Sequence, residues 1–302
     1  MTALALLVPG GNGQLGHDLV AAAPEGSVVR APGSNDLDVT QAGSVVRAVD
    51  DLVAAAAEAG LPAIVVNAAA YTAVDVAESA QAKAFAVNAD GPRLLAAVCS
   101  SRQVPLVHVS TDYVFPGDKA GPYEVDDPVG PKSVYGMTKL AGEASVLRSG
   151  ADAWVVRTAW VYGAGGSNFV KAITKLEGER ATLSVVDDQR GSPTWSADLA
   201  SGLLELAGRI VAGNGPEGRT LHCTGGGETT WYGFARAIFE ELGADPDRVK
   251  PCTTAEFPRP AKRPENSVLS PASWVDAGLT VLRPWRDALA KAFPSFQEDA
   301  RR

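Results

Sequence analysis

Ala3-Leu4-Ala5-Leu6-Leu7-Val8 is an apolar run that stops at Pro9-Gly10 and is followed by Gly11-Asn12-Gly13-Gln14-Leu15-Gly16. A run this short falls well below the roughly 20 residues a membrane helix needs, and it reads as a buried strand. Glycines at 10, 13 and 16 then lead into a helix over about 14–23. A tight turn in any protein can carry such glycines. Strand, glycines and helix in that order, at the start of an α/β chain, are instead where a dinucleotide-binding fold begins. Glycine there lets the backbone approach a pyrophosphate, whose charge is met by amide N–H groups and the helix N-terminus. The spacing is G-x-x-G-x-x-G, not the commoner G-x-G-x-x-G.

Downstream, short apolar runs at 27–30, 63–66, 105–109 and 154–157 alternate with helical stretches at 42–59, 79–102 and 135–148. Apolar strands without polar alternation, separated by helices, specify a parallel sheet covered on both faces. The expected fold is α/β, a Rossmann-type doubly wound parallel sheet. A TIM barrel would need eight regular βα units and no glycine turn after the first strand. Beyond residue 162 the rhythm breaks. Residues 163–167, 187–192 and 213–218 read as loops, and 225–227 as a flexible turn. Residues 251–271 read as an irregular segment with five prolines, carrying Arg259, Lys262 and Arg263. The expected division is a dinucleotide-binding domain at 1–162, to which 196–222 returns through a helix over 196–212. A small, discontinuous substrate lobe would comprise 163–195 and 223–302.

Composition removes several classes of function. The 302 residues carry 27 Lys and Arg against 35 Asp and Glu, a net charge of −8. A non-specific nucleic-acid binder needs a strong basic field, so an anionic ligand here must meet a local basic cluster. Cys99, Cys223 and Cys252 lie far apart, and His17, His108 and His222 are equally scattered. That argues against a disulfide framework and against a spaced pair of metal ligands. No basic residue precedes the first apolar run, and no later uncharged stretch has spanning length. The expectation is a cytoplasmic protein with no membrane segment and no metal site.

Three further motifs fall on these elements. Tyr135 and Lys139 stand at i and i+4 on one helix face, and no other tyrosine in the chain has a lysine at that spacing. A phenol, with an ordinary pKa of about 10, needs a nearby cation to exchange protons near neutrality. The plainer reading is an exposed Tyr–Lys contact. Ser110-Thr111-Asp112-Tyr113 directly follows the strand at 105–109. Hydroxyls at the carboxyl end of a parallel strand open on the crevice where such folds bind ligands, although a Ser/Asp turn also ends strands. Asn67-Ala68-Ala69-Ala70 ends the preceding strand with small residues, which suit close ligand approach or tight helix–sheet packing.

In series, the glycine turn, the NAAA strand end, the Ser/Thr residues and the YxxxK pair resemble the extended short-chain dehydrogenase/reductase superfamily. Within it, the chain is similar to the dTDP-4-dehydrorhamnose reductase family, from the first strand to the last helix. The segments that carry this are NAAAYTAVDVAE (67–78), VNADGPRLLA (87–96), HVSTDYVFPG (108–117) and VYGMTKLAGE (134–143), followed by RTAWVYG (157–163), DDQRGSPT (187–194), TTWYGFA (229–235) and RPENS (263–267).

The resemblance implies NAD(P)H-dependent reduction of the C4 ketone of a dTDP-4-dehydro sugar, in dTDP-rhamnose biosynthesis. It implies catalytic roles for Thr111, Tyr135 and Lys139. Tyr135 would donate a proton, Lys139 would favour the phenolate and bind the nicotinamide ribose, and Thr111 would hold the ketone oxygen. Cofactor contacts would come from Gly10, Asn12, Gly13, Gln14, Leu15, Gly16, Arg30, Asp38, Val39, Ala69, Ala70, Tyr71, Thr72 and Val109, besides Tyr135 and Lys139. The sugar would meet Thr111, Asp112 and Trp160, with Gln189, Pro193, Thr194, Arg259 and Arg263 near the diphosphate and nucleobase. The arginines suit a diphosphate because it needs cationic partners, but charge alone also fits a solvated basic loop.

The chain departs from the family pattern in places. Pro9 precedes the first glycine, and Val28-Val29-Arg30-Ala31-Pro32-Gly33-Ser34 ends the second strand without an acid. An acid there would repel a 2′-phosphate, and Arg30 stands where it could pair with one. NADPH is therefore expected to be preferred, with NADH still accepted. Some members bind Mg²⁺ at a dimer interface through glutamates, whereas Asp18 beside His17 occupies the matching position here, so no metal is expected. A homodimer is expected from the family alone. Two other readings fit the same motifs: an epimerase or dehydratase acting on another nucleotide sugar, and a non-catalytic regulatory subunit like the methionine adenosyltransferase β subunit.

Overall fold

The computed structural model describes residues 2–300, so residues 301 and 302 of the expected 223–302 segment lie outside the described residues. One six-stranded parallel sheet organises the chain. Its strands are β1 (Ala5–Leu7), β2 (Val28–Arg30), β3 (Ala63–Asn67), β4 (Leu106–Thr111), β5 (Ala153–Thr158) and the strand Thr220–His222. Their spatial order is Thr220–His222, β5, β4, β3, β1, β2. Connections run outward in both directions from β1 and β3, so the crevice of an open α/β sheet falls at the carboxyl ends of those two strands.

The first strand shows why its sequence does not alternate. Leu4, Leu6 and Val8 pack beneath the helix Ser196–Val211, while Ala5 and Leu7 pack beneath α2 (Ala42–Ala59) and the helix Gly91–Arg102. Both faces are covered, and each fully buried Leu or Val contributes about 1.5–3 kcal/mol. α2 buries Val45, Val49, Leu52 and Ala56 at helical spacing and ends at Gly60 in the left-handed region, φ 65°.

The helix expected over 79–102 is interrupted. An α-helical turn at Gln81–Phe85 widens into a π-helical turn at Ala86–Asp90 before the helix Gly91–Arg102. Pro92 has no N–H to give the carbonyl of Asn88, four residues earlier, so the regular ladder cannot run through this point. The widening seats Asn88 in the interior, where its side chain accepts from the Tyr71 N–H at 2.7 Å. It also donates to the Tyr71 carbonyl and the Thr138 hydroxyl, both at 3.0 Å.

A second core lies outside the sheet, around Tyr162, Ile173, Phe234, Phe239, Leu289 and Phe293. Three two-stranded ribbons tie it together: Val161–Tyr162 with Thr194–Trp195, Leu183–Val186 with Val249–Cys252, and Arg190–Gly191 with Thr229–Thr230. Residues 187–192 are thus not wholly loop, because Arg190 and Gly191 pair with Thr230 and Thr229. The segment 251–271 likewise begins inside a strand. Among the described residues, no helix is long and apolar enough to cross a membrane.

Candidate active site

The glycine turn joins β1 to α1 (Gln14–Ala21), and its glycines serve different needs. Gly10 sits at φ 84°, and a Cβ on it would lie 2.8 Å from the Ala69 backbone. One on Gly11 would lie 2.0 Å from the Ala31 carbonyl, and one on Gly16 would lie 2.4 Å from the Gly10 carbonyl. At these positions backbone presses on backbone. Gly13 is different, because a Cβ there would meet only the Gly10 carbonyl oxygen, at 3.2 Å. It is also the N-cap of α1, whose opening amides receive no side-chain cap and whose first turn holds no acid. The turn therefore leaves one open face, made of backbone and the positive end of a helix, which fits a cofactor pyrophosphate.

The other expected cofactor residues surround this turn. Asn12 packs against Gly33, Leu15 against the sheet core, and the Gln14 side chain accepts from the Asn168 amide at 2.8 Å. Val39 is buried. Asp38 is engaged by the Thr40 N–H at 2.9 Å and its hydroxyl at 2.7 Å, which hold its carboxyl below the ordinary value. Ala69 donates to the Asn67 side chain at 3.1 Å, so Ala69, Ala70, Tyr71 and Thr72 leave the sheet between β3 and the Asn88 anchor. Arg30 is exposed at the end of β2. With Leu7, Asp36, Ser44 and Arg47 it lines a cavity of about 470 Å³.

The catalytic candidates converge from β4 and the helix Val134–Leu147. That helix begins at Ser133, whose side chain accepts from the Gly136 N–H at 3.2 Å, and Gly136 lets it close on the Tyr113 carbonyl, 2.3 Å from a Cβ placed there. The Lys139 Nζ donates to the Val109 carbonyl at 2.6 Å. Burial pushes the Lys139 ammonium down to about 8, with Glu143 acting in the opposite direction. The Tyr135 phenol is pushed up to about 12, chiefly by loss of solvent; a hydrogen bond with the Thr111 side chain favours ionisation and the Asp112 charge disfavours it. Burial, not a neighbouring cation, governs the phenol in this structure. Thr111 donates to Asp112 at 2.8 Å and accepts from the Tyr113 N–H at 3.2 Å. Burial raises the Asp112 carboxyl to about 6.

Beneath these groups lies a charged pair that sequence spacing did not reveal. Glu143 accepts from the Ser110 hydroxyl at 2.5 Å and from Arg157 on β5 at 3.0 and 2.8 Å, with both charged side chains buried. Arg157 also donates to the Val125 carbonyl at 3.2 Å and lies over the Phe115 ring.

Outside the crevice, a cavity of about 670 Å³ is lined by Tyr113, Gln189, Trp231, Phe257, Arg259 and Arg263, among others. Gln189, Arg259 and Arg263 were expected at the substrate; Tyr113, Trp231 and Phe257 were not. Trp160 reaches the same region by stacking on Trp231, with ring centroids 3.5 Å apart and planes at 6°, and it takes φ 47°. The basic loop is exposed at Arg259 and Lys262, whereas Arg263 is paired. Arg263 donates from both terminal nitrogens to Asp75, one bond at 3.0 Å, while Arg259 stands 4.0 Å from the same carboxylate. Asp75 is held below its ordinary value, chiefly by Arg263. Pro193 and Thr194 do not line this cavity. The Thr194 hydroxyl donates to the Ser192 carbonyl and accepts from the Gly225 N–H, so it fastens a loop. Asp18 on α1 accepts from the Ser196 hydroxyl.

A glycine turn at the crevice of a parallel sheet, with Thr, Tyr and Lys gathered at the carboxyl end of β4, defines the extended short-chain dehydrogenase/reductase class. Comparison with known sequences narrows this. The RmlD substrate binding domain family matches residues 4–298, and the chain belongs to that family. It is 48% identical over 96% of its length to a dTDP-4-dehydrorhamnose reductase of Streptomyces griseus, of which it covers 93%. It is 46% identical, over 95% of its length and 94% of the relative, to a probable dTDP-4,6-dihydroxy-2-methyloxan-3-one 4-ketoreductase of Streptomyces antibioticus. Among solved structures, the dTDP-4-dehydrorhamnose reductase of Bacillus anthracis in complex with NADP superposes with a TM-score of 0.87. That pair shares 32% identity, with 97% of this chain and 99% of that one covered.

Proposed function

We propose that this protein reduces the C4 ketone of dTDP-4-dehydro-β-L-rhamnose to dTDP-β-L-rhamnose with NADPH. The observation that carries the reading is the meeting of Thr111, Tyr135 and Lys139 over the crevice beside the open glycine turn. Gly13, Gln14 and Leu15 would hold the pyrophosphate with α1, Arg30 the 2′-phosphate, and Lys139 the nicotinamide ribose. When bound, the reduced nicotinamide supplies the hydride.

The protein's own part is to hold and release a proton. A phenol pushed up to about 12 keeps its proton at neutral pH, which suits a donor in the direction of reduction. As charge grows on the C4 oxygen, Tyr135 gives up that proton, and the Lys139 charge stabilises the phenolate left behind. Thr111, turned from Asp112, holds the same oxygen and fixes its distance to Tyr135. The Trp160–Trp231 stack and Gln189 flank the nucleotide sugar, and the Asp75-bound Arg263 presents its charge to the diphosphate from a fixed position. Three free cysteines and the lack of any spanning helix among the described residues support a cytoplasmic location.

The test is steady-state NADPH oxidation by the purified chain with dTDP-4-dehydrorhamnose and with other dTDP-4-keto sugars. Turnover with NADP⁺ release and the highest kcat/KM for dTDP-4-dehydrorhamnose supports the reading. Tightly retained NAD with no net NADPH use would instead mark an epimerase or dehydratase. No turnover with any of these sugars would fit a regulatory subunit.

A further inference from the structure

The buried ion pair beneath the crevice has no part in the chemistry above, and its placement is specific. Residues 109–111 of β4 face the helix Val134–Leu147 in consecutive contacts. The Val109 carbonyl takes the Lys139 ammonium, the Ser110 hydroxyl binds Glu143, and Thr111 lies beside Tyr135. Glu143 stands one helical turn from Lys139, which itself stands one turn from Tyr135. Arg157 lies across the Ser110↔Arg157 register of β4 and β5, and it closes on Glu143 with two hydrogen bonds. A buried ion pair is costly to assemble and often contributes nothing to net stability, so stability alone does not account for one placed here.

We propose that Glu143 is a positioning residue for the reduction, holding the charge on Lys139 while Ser110 and Arg157 hold Glu143 in place. The catalytic use of that charge rests on the reductase reading above. The charge itself does not.

Lys139 has few other electrostatic neighbours. His108 on β4 is buried, its Nδ1 lies 3.0 Å from the Asn67 amide, and it is held neutral by burial and by Lys139 itself. Tyr135 keeps its proton, and Asp112 faces Thr111 and Tyr135. Beyond Arg157 stand the buried His222 and the surface Asp127, which acts on His222. Among these groups, Glu143 is the carboxylate that supports the ammonium against burial. The two bonds from Arg157 keep the Glu143 carboxylate from turning away.

The test is a titration of Lys139 by NMR of carbon-13-labelled lysine, with the signal assigned through Lys139→Arg. It reads the ammonium directly and needs no substrate. In Glu143→Gln, which keeps an oxygen for Ser110 and Arg157, the Lys139 midpoint should fall by about one unit. Glu143→Asp should restore most of it. Glu143→Gln leaves Arg157 unpaired and is the variant most exposed to misfolding. Glu143→Gln/Arg157→Met leaves no unpaired guanidinium and should show the same downward displacement. If the wild type turns over, the alkaline limb of kcat/KM against pH should move down with the midpoint in both Gln variants, while the NADPH Kd below pH 7 stays within about threefold. A Lys139 midpoint unmoved in a folded Gln variant overturns the inference whether or not the reductase reading stands. An inactive wild type whose midpoint still moves would overturn the reductase reading and leave the inference standing.

Discussion

Gly13→Ala and Gly16→Ala should separate binding from folding, although the two residues lie three apart in one turn. At Gly16 the added methyl would lie 2.4 Å from the Gly10 carbonyl and 2.6 Å from two Gly11 backbone atoms. Ordinary contact begins near 3.4 Å, so backbone must shift by about 1 Å in a turn that also rests on Ala69. Overpacking of that kind costs about 1–3 kcal/mol, which outweighs the roughly 1 kcal/mol that Ala gains over Gly inside a helix. At Gly13 the methyl meets one oxygen at 3.2 Å, and φ is an ordinary −80°. The fold should therefore tolerate Ala there, with the unfolded-state entropy term slightly in its favour. The methyl instead stands on the open face, where it would hold a pyrophosphate off the α1 amides. Losing one or two charge-assisted hydrogen bonds, at about 1.5–3 kcal/mol each, weakens NADPH by at least about tenfold. Calorimetric Tm and NADPH titration on both variants give the answer. Gly13→Ala should keep its Tm and lose cofactor, whereas Gly16→Ala should lose Tm. Wild-type NADPH affinity in Gly13→Ala would refute the placement of the pyrophosphate on this turn.

Other perturbations test the remaining parts. Tyr135→Phe removes the proton donor but little packing, so kcat should fall by about 10²–10⁴ while the NADPH Kd changes less than severalfold, as measured by stopped-flow and cofactor fluorescence. Arg30→Ala should erase an NADPH-over-NADH preference of about 1–2 kcal/mol, and an unchanged ratio of kcat/KM would show that Arg30 does not read the phosphate. Asp112 rises to about 6 in the fold from an ordinary 3.8, so the native state binds the extra proton and its contribution to stability declines as pH rises between those values. Asp112→Asn escapes that decline, and its urea-derived stability relative to wild type should improve by about 3 kcal/mol from pH 3.5 to pH 7. Asp75→Asn releases Arg263 and should raise the substrate KM while sparing NADPH binding; an unchanged KM would mean the guanidinium does not meet the diphosphate.

The elements that sequence reasoning placed well are those whose pattern follows from burial on both faces. The helix expected at 42–59 is α2 at those same residues, because its apolar spacing and Gly60 stop are local. Tyr135 and Lys139 were legible from spacing because one helix carries both. The π-helical turn was missed, although Pro92 four residues after Asn88 was a usable sign that the helical ladder would break there. Trp231 lies in the segment TTWYGFA, but nothing local marks it as lining the cavity. Its role comes from stacking on Trp160, which the ribbons bring to it from another part of the chain. Asp75 and Arg263 are 188 residues apart, and nothing in either segment announces that one binds the other. The motif around Thr194 is distinctive, yet it does not show that the hydroxyl is engaged by Gly225 and Ser192. A motif thus names a neighbourhood, and only the tertiary hydrogen bonds say which of its members face the cleft.

The strand Thr220–His222 completes the sheet edge beside β5, and it is supplied by chain that has already passed through residues 163–195. Relatives with different sugar preferences therefore cannot be recombined at a single crossover after residue 162. Such a hybrid would pair one parent's β5 with the other's edge strand, and would seat a foreign helix Ser196–Val211 over Leu4, Leu6, Val156 and Trp154. An exchange of 163–195 and the chain after residue 222 as two inserts leaves 196–222 on its native sheet, provided that Cys223, Trp274 and Leu279, which pack in the same core, are kept from the recipient. Diversification in this family would then proceed by substitutions and loop replacements within those inserts more readily than by wholesale shuffling of C-terminal halves.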